Sequence, residues 1–410
     1  MRTILHSDLN NFYASVECMK NPALKDVPMV VTGNVEDRHG IVLAKNQIAK
    51  SFGIKTGEVL WQARKKCAGL VSVVADFPSY YRVSKAVREI YGRFTDHIES
   101  FGIDECWMDV SDSVKNFGTG EEIANKIRTA VKEELGVTVS VGVSYNKIFA
   151  KLGSDMKKPD AVTKITVENY KDTVWKLPVE DLLYVGKATK NKLNSIGVHT
   201  IGELASTDKK VLVSLLGVWG DTLYRYANGL DDTPVIDKRS DTDTKSIGNS
   251  LTDYKDLICF EEVKTLILLL SESVAARLRE SGLGKATTVK LTVTDNRLNT
   301  VGKQVKLTRP THSSVDIAES CYKMFSELYK WEYPVRGIGV SVSNFTLGLE
   351  QLSFDTDVKK TEKVDRLDTV VDGIRKKYGN HSVQRARILQ DKKLSGMDIN
   401  KEEDVKPFFK

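Results

Sequence analysis

The chain has 410 residues, of which 41% are hydrophobic and 28% charged, and it carries a formal net charge of +6 at pH 7. This length allows two to four domains with separate cores. Residues 266–270 form the longest apolar run, far short of the ~20 residues of a membrane-spanning helix, and the five cysteines include no C-x-x-C pair that would indicate a zinc site or a disulfide framework. Because no basic and apolar leader precedes Asp8, we expect a cytoplasmic protein that is neither exported nor inserted into a membrane.

The first predicted strand begins with the apolar residues 3–5 and ends at Asp8, after which residues 10–11 form a turn into a helix. A helix start leaves backbone N–H groups free to bind an anion. The helix opens with two aromatic residues, Phe12 and Tyr13. For Phe12 we favour core packing, because helical periodicity places most aromatic side chains on apolar faces.

A second strand is predicted over residues 103–110, where Asp104 and Glu105 interrupt an apolar run. An Asp-Glu pair in a lysine-rich chain is often a solvated turn. The apolar neighbours of this pair, however, favour partial burial, and buried carboxylates need a partner such as a cation. Mg²⁺ binds oxygen ligands and keeps water and phosphate in its shell, so Asp8 together with this pair would suffice for two-metal phosphoryl transfer.

Four short motifs follow one another along the first part of the chain: DLNNFYAS at residues 8–15, IDECWMD at 103–109, SVGVSYNKIFAK at 140–151 and SDMKKP at 154–159. Their order and spacing resemble the Y-family translesion DNA polymerases. Asn10 and residues 49–55 resemble the UmuC-like and UvrX-like branch of Gram-positive bacteria more than DNA polymerase IV. The resemblance implies an α+β multidomain fold shaped like a right hand, with palm, fingers, a helical thumb and a βαββαβ little finger.

The resemblance also implies roles for individual residues. The catalytic and metal-binding acids are Asp8, Asp104 and Glu105, and with the Leu9 carbonyl they would bind two Mg²⁺ ions. Tyr13 takes the position of a steric gate against a ribose 2′-hydroxyl, and the nucleotide-binding set is Asn11, Phe12, Tyr13, Lys50 and Lys158. Gln47 and Lys50 stand where many relatives have Tyr and Arg, and Lys lacks the bidentate fork of Arg. Residues 40–44 match the roof over the templating base.

The same resemblance, together with composition, divides the chain. We expect the palm at residues 1–10 and 79–165, the fingers at 11–78, the thumb at 166–236, a charged linker at 237–245, the little finger at 246–347, and a clamp-binding segment with a C-terminal tail at 348–410. Helices are predicted at residues 80–98, 121–135, 257–281, 315–329 and 358–378, and a palm strand at 137–143. Beyond residue 378 we expect a polar tail.

Two regions are predicted to contact DNA. Residues 182–193 resemble a helix-hairpin-helix whose backbone amides bind phosphate at Gly186 and Lys187, although Tyr184 stands where Gly is common and an ordinary helix turn is the alternative. In the little finger the candidate DNA-binding residues are Lys285, Lys290, Arg297, Lys303 and Lys306, and Arg309 follows them. They suggest one cationic strand face, for which a solvated sheet face without a ligand is the alternative.

Residues 351–354 read Gln-Leu-Ser-Phe and resemble the short peptide by which bacterial polymerases bind the sliding clamp. The expected clamp-binding residues are therefore Gln351, Leu352 and Phe354.

The predicted function is template-directed DNA synthesis during damage tolerance by a monomer that uses primer-template DNA, dNTP and Mg²⁺. A catalytically silent DNA-binding or scaffold relative, recruiting another polymerase to the clamp, is the alternative, and it should have lost acids that this chain keeps. A nucleotidyl cyclase sharing the acids would explain only the first 165 residues.

Overall fold

The computed structural model describes residues 2–34, 40–236, 244–347 and 358–397, without the side chains of residues 358–362. Its contacts divide the chain into two compact units, one built mainly from residues 1–33 and 41–242 and the other mainly from the residues beyond 243. Within the described part, no helix is both long and apolar enough to cross a membrane.

A five-stranded sheet forms the centre of the first unit, and a smaller sheet of three strands is inserted into it. In chain order the elements are β1 (Ile4–Leu9), α1 (Phe12–Lys20), a 3₁₀ helix (Pro22–Lys25), β2 (Met29–Thr32), β3 (Val42–Lys45), α2 (Gln47–Ser51), α3 (Leu60–Lys66), β4 (Val71–Val74), α4 (Phe77–Tyr91), β5 (Ile98–Ser100), β6 (Glu105–Asp109), α5 (Val114–Phe117), α6 (Gly120–Leu135), β7 (Val139–Ser144), α7 (Lys147–Met156) and β8 (Val162–Lys164). The large sheet has the order β5-β6-β1-β7-β8 and the small one the order β3-β2-β4.

Strand β1 lies in the middle of the large sheet and is buried along its whole length between β6 and β7. Leu5 shares one core with residues of α1, α4 and α6. Helix α7 packs against β7 so closely that a Cβ atom on Gly142 would lie 1.8 Å from the Ala150 carbonyl oxygen, which only glycine avoids. Helix α7 is therefore fixed in position against β7.

The small sheet has a core of its own, which includes Val30, Val42, Ile54 and Leu60. Its strands and the helices α2 and α3 all lie in the range predicted as fingers. Helix α1 belongs to that range by sequence, but its buried residues pack in the core of the large sheet.

The rest of the first unit is helical: α8 (Tyr170–Thr173), a 3₁₀ helix (Val179–Asp181), α9 (Lys187–Asn194), α10 (Ile201–Ser206), α11 (Lys209–Leu216) and α12 (Val218–Ala227). The turn before α9 closes through the Val185 N–H, which donates to the Leu182 carbonyl at 3.0 Å. Tyr184 has φ +72° in this turn, a conformation that glycine adopts at less cost, and its ring lies 5.3 Å from that of Trp219. Tyrosine therefore does not prevent the hairpin from closing.

The second unit is a four-stranded antiparallel sheet with the order β11-β10-β12-β9, covered by two helices. Its elements are β9 (Ser246–Leu257), α13 (Phe260–Ser281), β10 (Lys285–Asp295), β11 (Thr300–Thr311), α14 (Ser314–Leu328) and β12 (Val335–Thr346). The inward residues of β10, Val289, Leu291 and Val293, share a core with α13 and α14. The order of strands and helices is the predicted βαββαβ.

Two sequence predictions about elements are wrong. The helix predicted at residues 80–98 ends at Tyr91, because Gly92 caps it and Ile98–Ser100 pairs with β6 as β5. The polar tail predicted beyond residue 378 is also wrong as far as residue 397. After α15 (Val358–Tyr378) the chain forms α16 (Ala386–Leu389) and α17 (Lys392–Gly396), whose Ile388 and Leu394 are buried in the core of the second unit.

Candidate active site

The three predicted acids meet at one end of the large sheet. Asp8, near the end of β1, is directly paired with Glu105, the first residue of β6. The Leu9 N–H donates to the Asp104 carbonyl at 3.0 Å, which holds the residue before β6 against the end of β1. Asp8 is buried, whereas Asp104 and Glu105 are half-buried. The register of the sheet thus brings Asp8 beside the Asp104-Glu105 pair, although about 100 residues separate them in the sequence.

Two of these acids each form an ion pair with a lysine. Lys158 Nζ lies 2.8 Å from Asp8 Oδ2, and Lys151 Nζ lies 2.9 Å from Glu105 Oε2. Asp155 contacts both ammonium groups, at 2.9 Å and 3.4 Å respectively. The predicted phosphate-binding residue Lys158 therefore lies at the acids, and Lys151, to which the sequence analysis gave no role, lies there too.

A buried histidine, His6, also contacts Glu105. His6 Nδ1 is 2.8 Å from the Ser154 hydroxyl, and its Nε2 faces Glu105 Oε2 at 3.5 Å. Burial lowers the pKa of His6 to about 4, so the ring is neutral at pH 7. Since side chains alternate along a strand, His6 and Asp8 lie on the same face of β1, and this spacing could have predicted the contact.

The electrostatics of the site differ between its acids. Burial raises the pKa of Asp8 to about 7, although the Lys158 ammonium opposes this shift. Burial also raises the pKa of Asp104, with Glu105 adding to the effect. For Glu105 burial acts in the same direction, but the His6 contact and Lys151 outweigh it and lower the pKa to about 2. Two of the three carboxyl groups thus lack enough positive charge to ionise as readily as they do in water.

This charge imbalance fits a divalent cation. Among the residues that the structure describes, no three His, Cys, Asp or Glu side chains converge closely enough to form a metal site as they stand, since Asp8 and Glu105 turn to the lysines. The donor set nevertheless consists of carboxylate oxygens, the ligands that Mg²⁺ prefers, and an added cation would relieve the raised pKa values of Asp8 and Asp104. The residues present therefore fit a divalent metal.

Helix α1 begins beside the acids. Asn11 precedes it with φ +48°, and its side chain makes no capping hydrogen bond to the first turn. Tyr13 is half-buried and stacks on Tyr80 with ring centroids 4.4 Å apart, while Phe77 meets its ring edge-on at 5.8 Å. Phe12 is 4% exposed and belongs to the core. A nucleotide at this helix start could therefore contact the Tyr13 ring but only the backbone of Phe12.

The predicted nucleotide-binding residue Lys50 lies on α2, and Gln47, whose role the sequence leaves open, begins the same helix. Lys50 and Gln47 are both exposed there. No contact between Lys50 and the three acids appears in the described part of the chain. Lys45, at the end of β3, was not predicted; burial lowers its pKa and the nearby Lys50 adds to this, so the two cations lie close together. Like charges kept together in this way favour an anion between them.

Gly186 and Lys187 stand at the start of α9, as N-cap and first helical residue, and both are exposed. The backbone N–H groups of this first turn are available to a phosphate.

The prediction of one cationic strand face in the second unit is wrong. Lys290 and Lys306 lie on the face of the sheet away from the helices, and Arg297 stacks on Tyr333 in the turn.

Lys303 and Arg309 face the helices instead. Lys303 is paired with the inward Leu291 and forms an ion pair with Glu327 of α14, and Arg309 binds Asp316 of the same helix. Lys285 lies 3.5 Å from Asp365 of α15. Lys303 and Arg309 are each three residues from Lys306, so strand alternation puts them on the opposite face of β11. Gln351, Leu352 and Phe354 lie outside the described residues.

Comparison with known proteins extends this picture. A solved Y-family DNA polymerase chimera, Dbh-Dpo4(243-245)-Dbh, superposes with a TM-score of 0.73 over 84% of this chain and 100% of its own, at 24% identity, and so has the same fold. Family models for impB/mucB/samB and for the impB/mucB/samB C-terminal domain match residues 7–155 and 244–354. The chain belongs to this family, the Y-family.

Two curated relatives cover nearly the whole chain. The DNA polymerase IV of Acetivibrio thermocellus is 52% identical over 96% of this chain and 99% of its own length, and that of Clostridium acetobutylicum is 35% identical over 95% and 98%. Both carry the name DNA polymerase IV, which does not support the expected preference for the UmuC-like branch. Divalent-metal dependence follows from the family.

Proposed function

We propose that this chain is a template-directed DNA polymerase of the translesion type, which adds deoxynucleotides to a primer 3′ end. The observation that carries the proposal is the meeting of Asp8, Asp104 and Glu105 at one end of the sheet in a chain of this family. Primer-template DNA and dNTP are its substrates. We place this activity in the cytoplasm.

Each residue of the site has a proposed role in nucleotide addition. Asp8, Asp104 and Glu105 would hold two Mg²⁺ ions, with the Leu9 carbonyl as a further ligand. Such ions would supply the positive charge that activates the primer hydroxyl and neutralises the triphosphate. Lys158 exchanges its contact with Asp8 for one with a phosphate. The free N–H groups at the start of α1 bind the same phosphates, and Tyr13 packs against the sugar.

Binding of DNA is proposed for the amides of Gly186 and Lys187 and for the outward cations Lys290 and Lys306. Contacts of this kind to the DNA backbone do not depend on the base sequence. They therefore suit a polymerase, which must accept any template. Binding of the sliding clamp through Gln351, Leu352 and Phe354, by a protein that is otherwise monomeric, remains a proposal from sequence.

A catalytically silent scaffold is the competing function. The retention of all three acids, with the pKa of Asp8 and Asp104 raised, argues against it, because burying carboxylates without a catalytic task is costly.

Primer extension with purified protein, Mg²⁺ and dNTP tests the proposal. Wild-type protein should extend the primer, and Asp104→Ala or Glu105→Ala should reduce incorporation about 1000-fold or more, since a lost metal ligand removes several kcal/mol of transition-state stabilisation. DNA affinity should be retained, because it depends on many phosphate contacts. The exposed Asp96 provides the control variant Asp96→Ala. Extension by Asp104→Ala at the wild-type rate would contradict the metal assignment, and a wild-type protein that binds DNA without extending primers would favour the scaffold.

A further inference from the structure

Trp61 is an exposed aromatic side chain on α3, the helix that closes the small sheet. Leu60 and Ala63 of this helix are buried in the core of that sheet, whereas the Trp61 side chain is 58% exposed. The helix is thus anchored by one face and presents a large apolar ring on another. A ligand that covered this ring would bury apolar surface, which favours binding.

Two cations follow Trp61 on the same helix, at the spacing of one helical turn. Lys65 lies one helical turn on, with Nζ 4.8 Å from the ring centroid, and Arg64 reaches Ser72 at 3.2 Å. Helix α3 contains no acid. The acid preceding it, Glu58, is bound by Lys66 at 2.6 Å. The surface around Trp61 therefore combines one flat ring with positive charge.

The position of Trp61 relates it to the template. The Val42 N–H donates to the Glu58 carbonyl at 2.9 Å, and Ile41 and Val59 form an antiparallel bridge. Bridged residues lie about 5 Å apart and two further residues add at most about 7 Å, so Trp61 is within roughly 12 Å of Ile41. By the family resemblance Ile41 belongs to the roof over the templating base. At ~3.4 Å per stacked nucleotide, this distance corresponds to the first three or four unpaired template nucleotides.

Other ligands fit this surface less well. Duplex DNA presents phosphates at its surface and would use the cations but not the ring. Single-stranded DNA offers both a phosphate backbone and exposed base faces, which stack on aromatic side chains. We propose that Trp61, with Lys65, is a stacking site for an unpaired template base ahead of the templating position. This inference rests on the proposed polymerase function.

Binding to primer-templates with different 5′ template overhangs tests the inference. By fluorescence anisotropy, wild-type protein should bind a substrate with a ten-nucleotide overhang more tightly than one with a single unpaired nucleotide. Trp61→Ala should weaken binding to the long overhang by about tenfold, and Trp61→Phe should restore most of it, because one base stacked on an aromatic ring contributes about that factor. Both variants should melt at the wild-type temperature, since the ring is exposed.

Abasic sites locate the stacked base. An abasic nucleotide placed in turn at each of the first four unpaired positions should weaken wild-type binding most at one position and leave Trp61→Ala unaffected there. Lys65→Met should weaken binding to the long overhang and reduce its salt dependence, as expected for a phosphate contact.

Two results would overturn the inference: Trp61→Ala binding the long overhang as wild-type protein does, or weakening both substrates equally. Primer extension by the same wild-type preparation separates this inference from the proposed function. If wild-type protein extends primers but Trp61→Ala does not change overhang binding, only the stacking site fails. If wild-type protein extends no primer, the polymerase assignment fails, whatever the affinities.

Discussion

Asp8→Asn should stabilise the metal-free protein while abolishing its activity. Asp8 is 6% exposed and is directly paired with Glu105, so its ionised form is costly in the folded protein even with Lys158 at 2.8 Å. Asparagine has the same shape, can still accept a hydrogen bond from Lys158, and carries no charge. The ionised Asp8 therefore lowers the stability of the metal-free protein, and binding of a metal ion offsets this loss.

The magnitude and sign follow from the pKa of Asp8. Burial raises this pKa from 3.8 to about 7. A raised pKa in a folded acid means that the folded state binds more protons, so stability falls as pH rises from the unfolded value of 3.8 through 7, and the cost is complete above 7. Three pKa units correspond to at most about 4 kcal/mol. Because the shift to about 7 already includes the attraction of Lys158, this figure is the upper limit of the gain, and we expect about 2 to 4 kcal/mol at pH 8 and almost none at pH 4.

Urea unfolding in EDTA at pH 4 and pH 8 measures this difference. The first unit holds Asp8, so tryptophan fluorescence should report its transition at a higher midpoint in Asp8→Asn at pH 8 only. Asp96→Asn, a change at an exposed acid of the same unit, is the control and should leave both midpoints unchanged. If Asp8→Asn were only as stable as wild type at pH 8, or less stable, the ionised Asp8 would not be costly to the folded protein and the reasoning would be refuted. Added Mg²⁺ should stabilise wild type more than the variant.

Two further outcomes are expected. Tyr13→Ala removes the ring stacked on Tyr80 and should raise the kcat/KM for ribonucleotides relative to deoxynucleotides by tenfold or more; an unchanged ratio would return Tyr13 to a purely structural role. Replacing Gln351, Leu352 and Phe354 together by Ala should remove the stimulation of primer extension by a loaded clamp without changing extension in its absence, since a few apolar anchors carry most of the affinity of a bound peptide. A melting temperature lower by several degrees, or stimulation that persists, would contradict that prediction.

The acids of the site could be predicted from sequence because each stands where an apolar strand run is interrupted. Their neighbours could not be found in the same way. Lys151 ends a helical motif, and only the packing of α7 on β7 brings its ammonium to Glu105. A lysine on an amphipathic helix is by sequence a solvated residue, so this contact depends on tertiary structure.

The prediction of one cationic strand face in the second unit was wrong for a different reason. Lys303 and Arg309 are in phase with Val305 and Leu307 in the part-buried pattern of β11, so all four side chains face the helices. Edge strands often carry charged residues that point inward, and here Glu327 and Asp316 of α14 pair with them. Sequence alternation shows that two faces exist, but an edge strand with charges on both does not show which face is the inner one.

Helix α15 buries an acid and exposes the leucine beside it, the reverse of the usual amphipathic arrangement. It docks on its own unit through charge: Arg279 Nε binds Asp372 at 2.6 Å, and Arg375 Nη2 binds Glu272 at 3.1 Å. Asp368 is 5% exposed, whereas the adjacent Leu367 is 56% exposed. Partners for these acids and arginines lie about 90 residues away in the sequence, and a buried charge is stable only when its partner is in place. The same holds beyond residue 378, where Arg385 Nε binds Glu272 at 2.5 Å. The sequence shows both members of such an ion pair as solvated residues, and it therefore predicts a polar tail there.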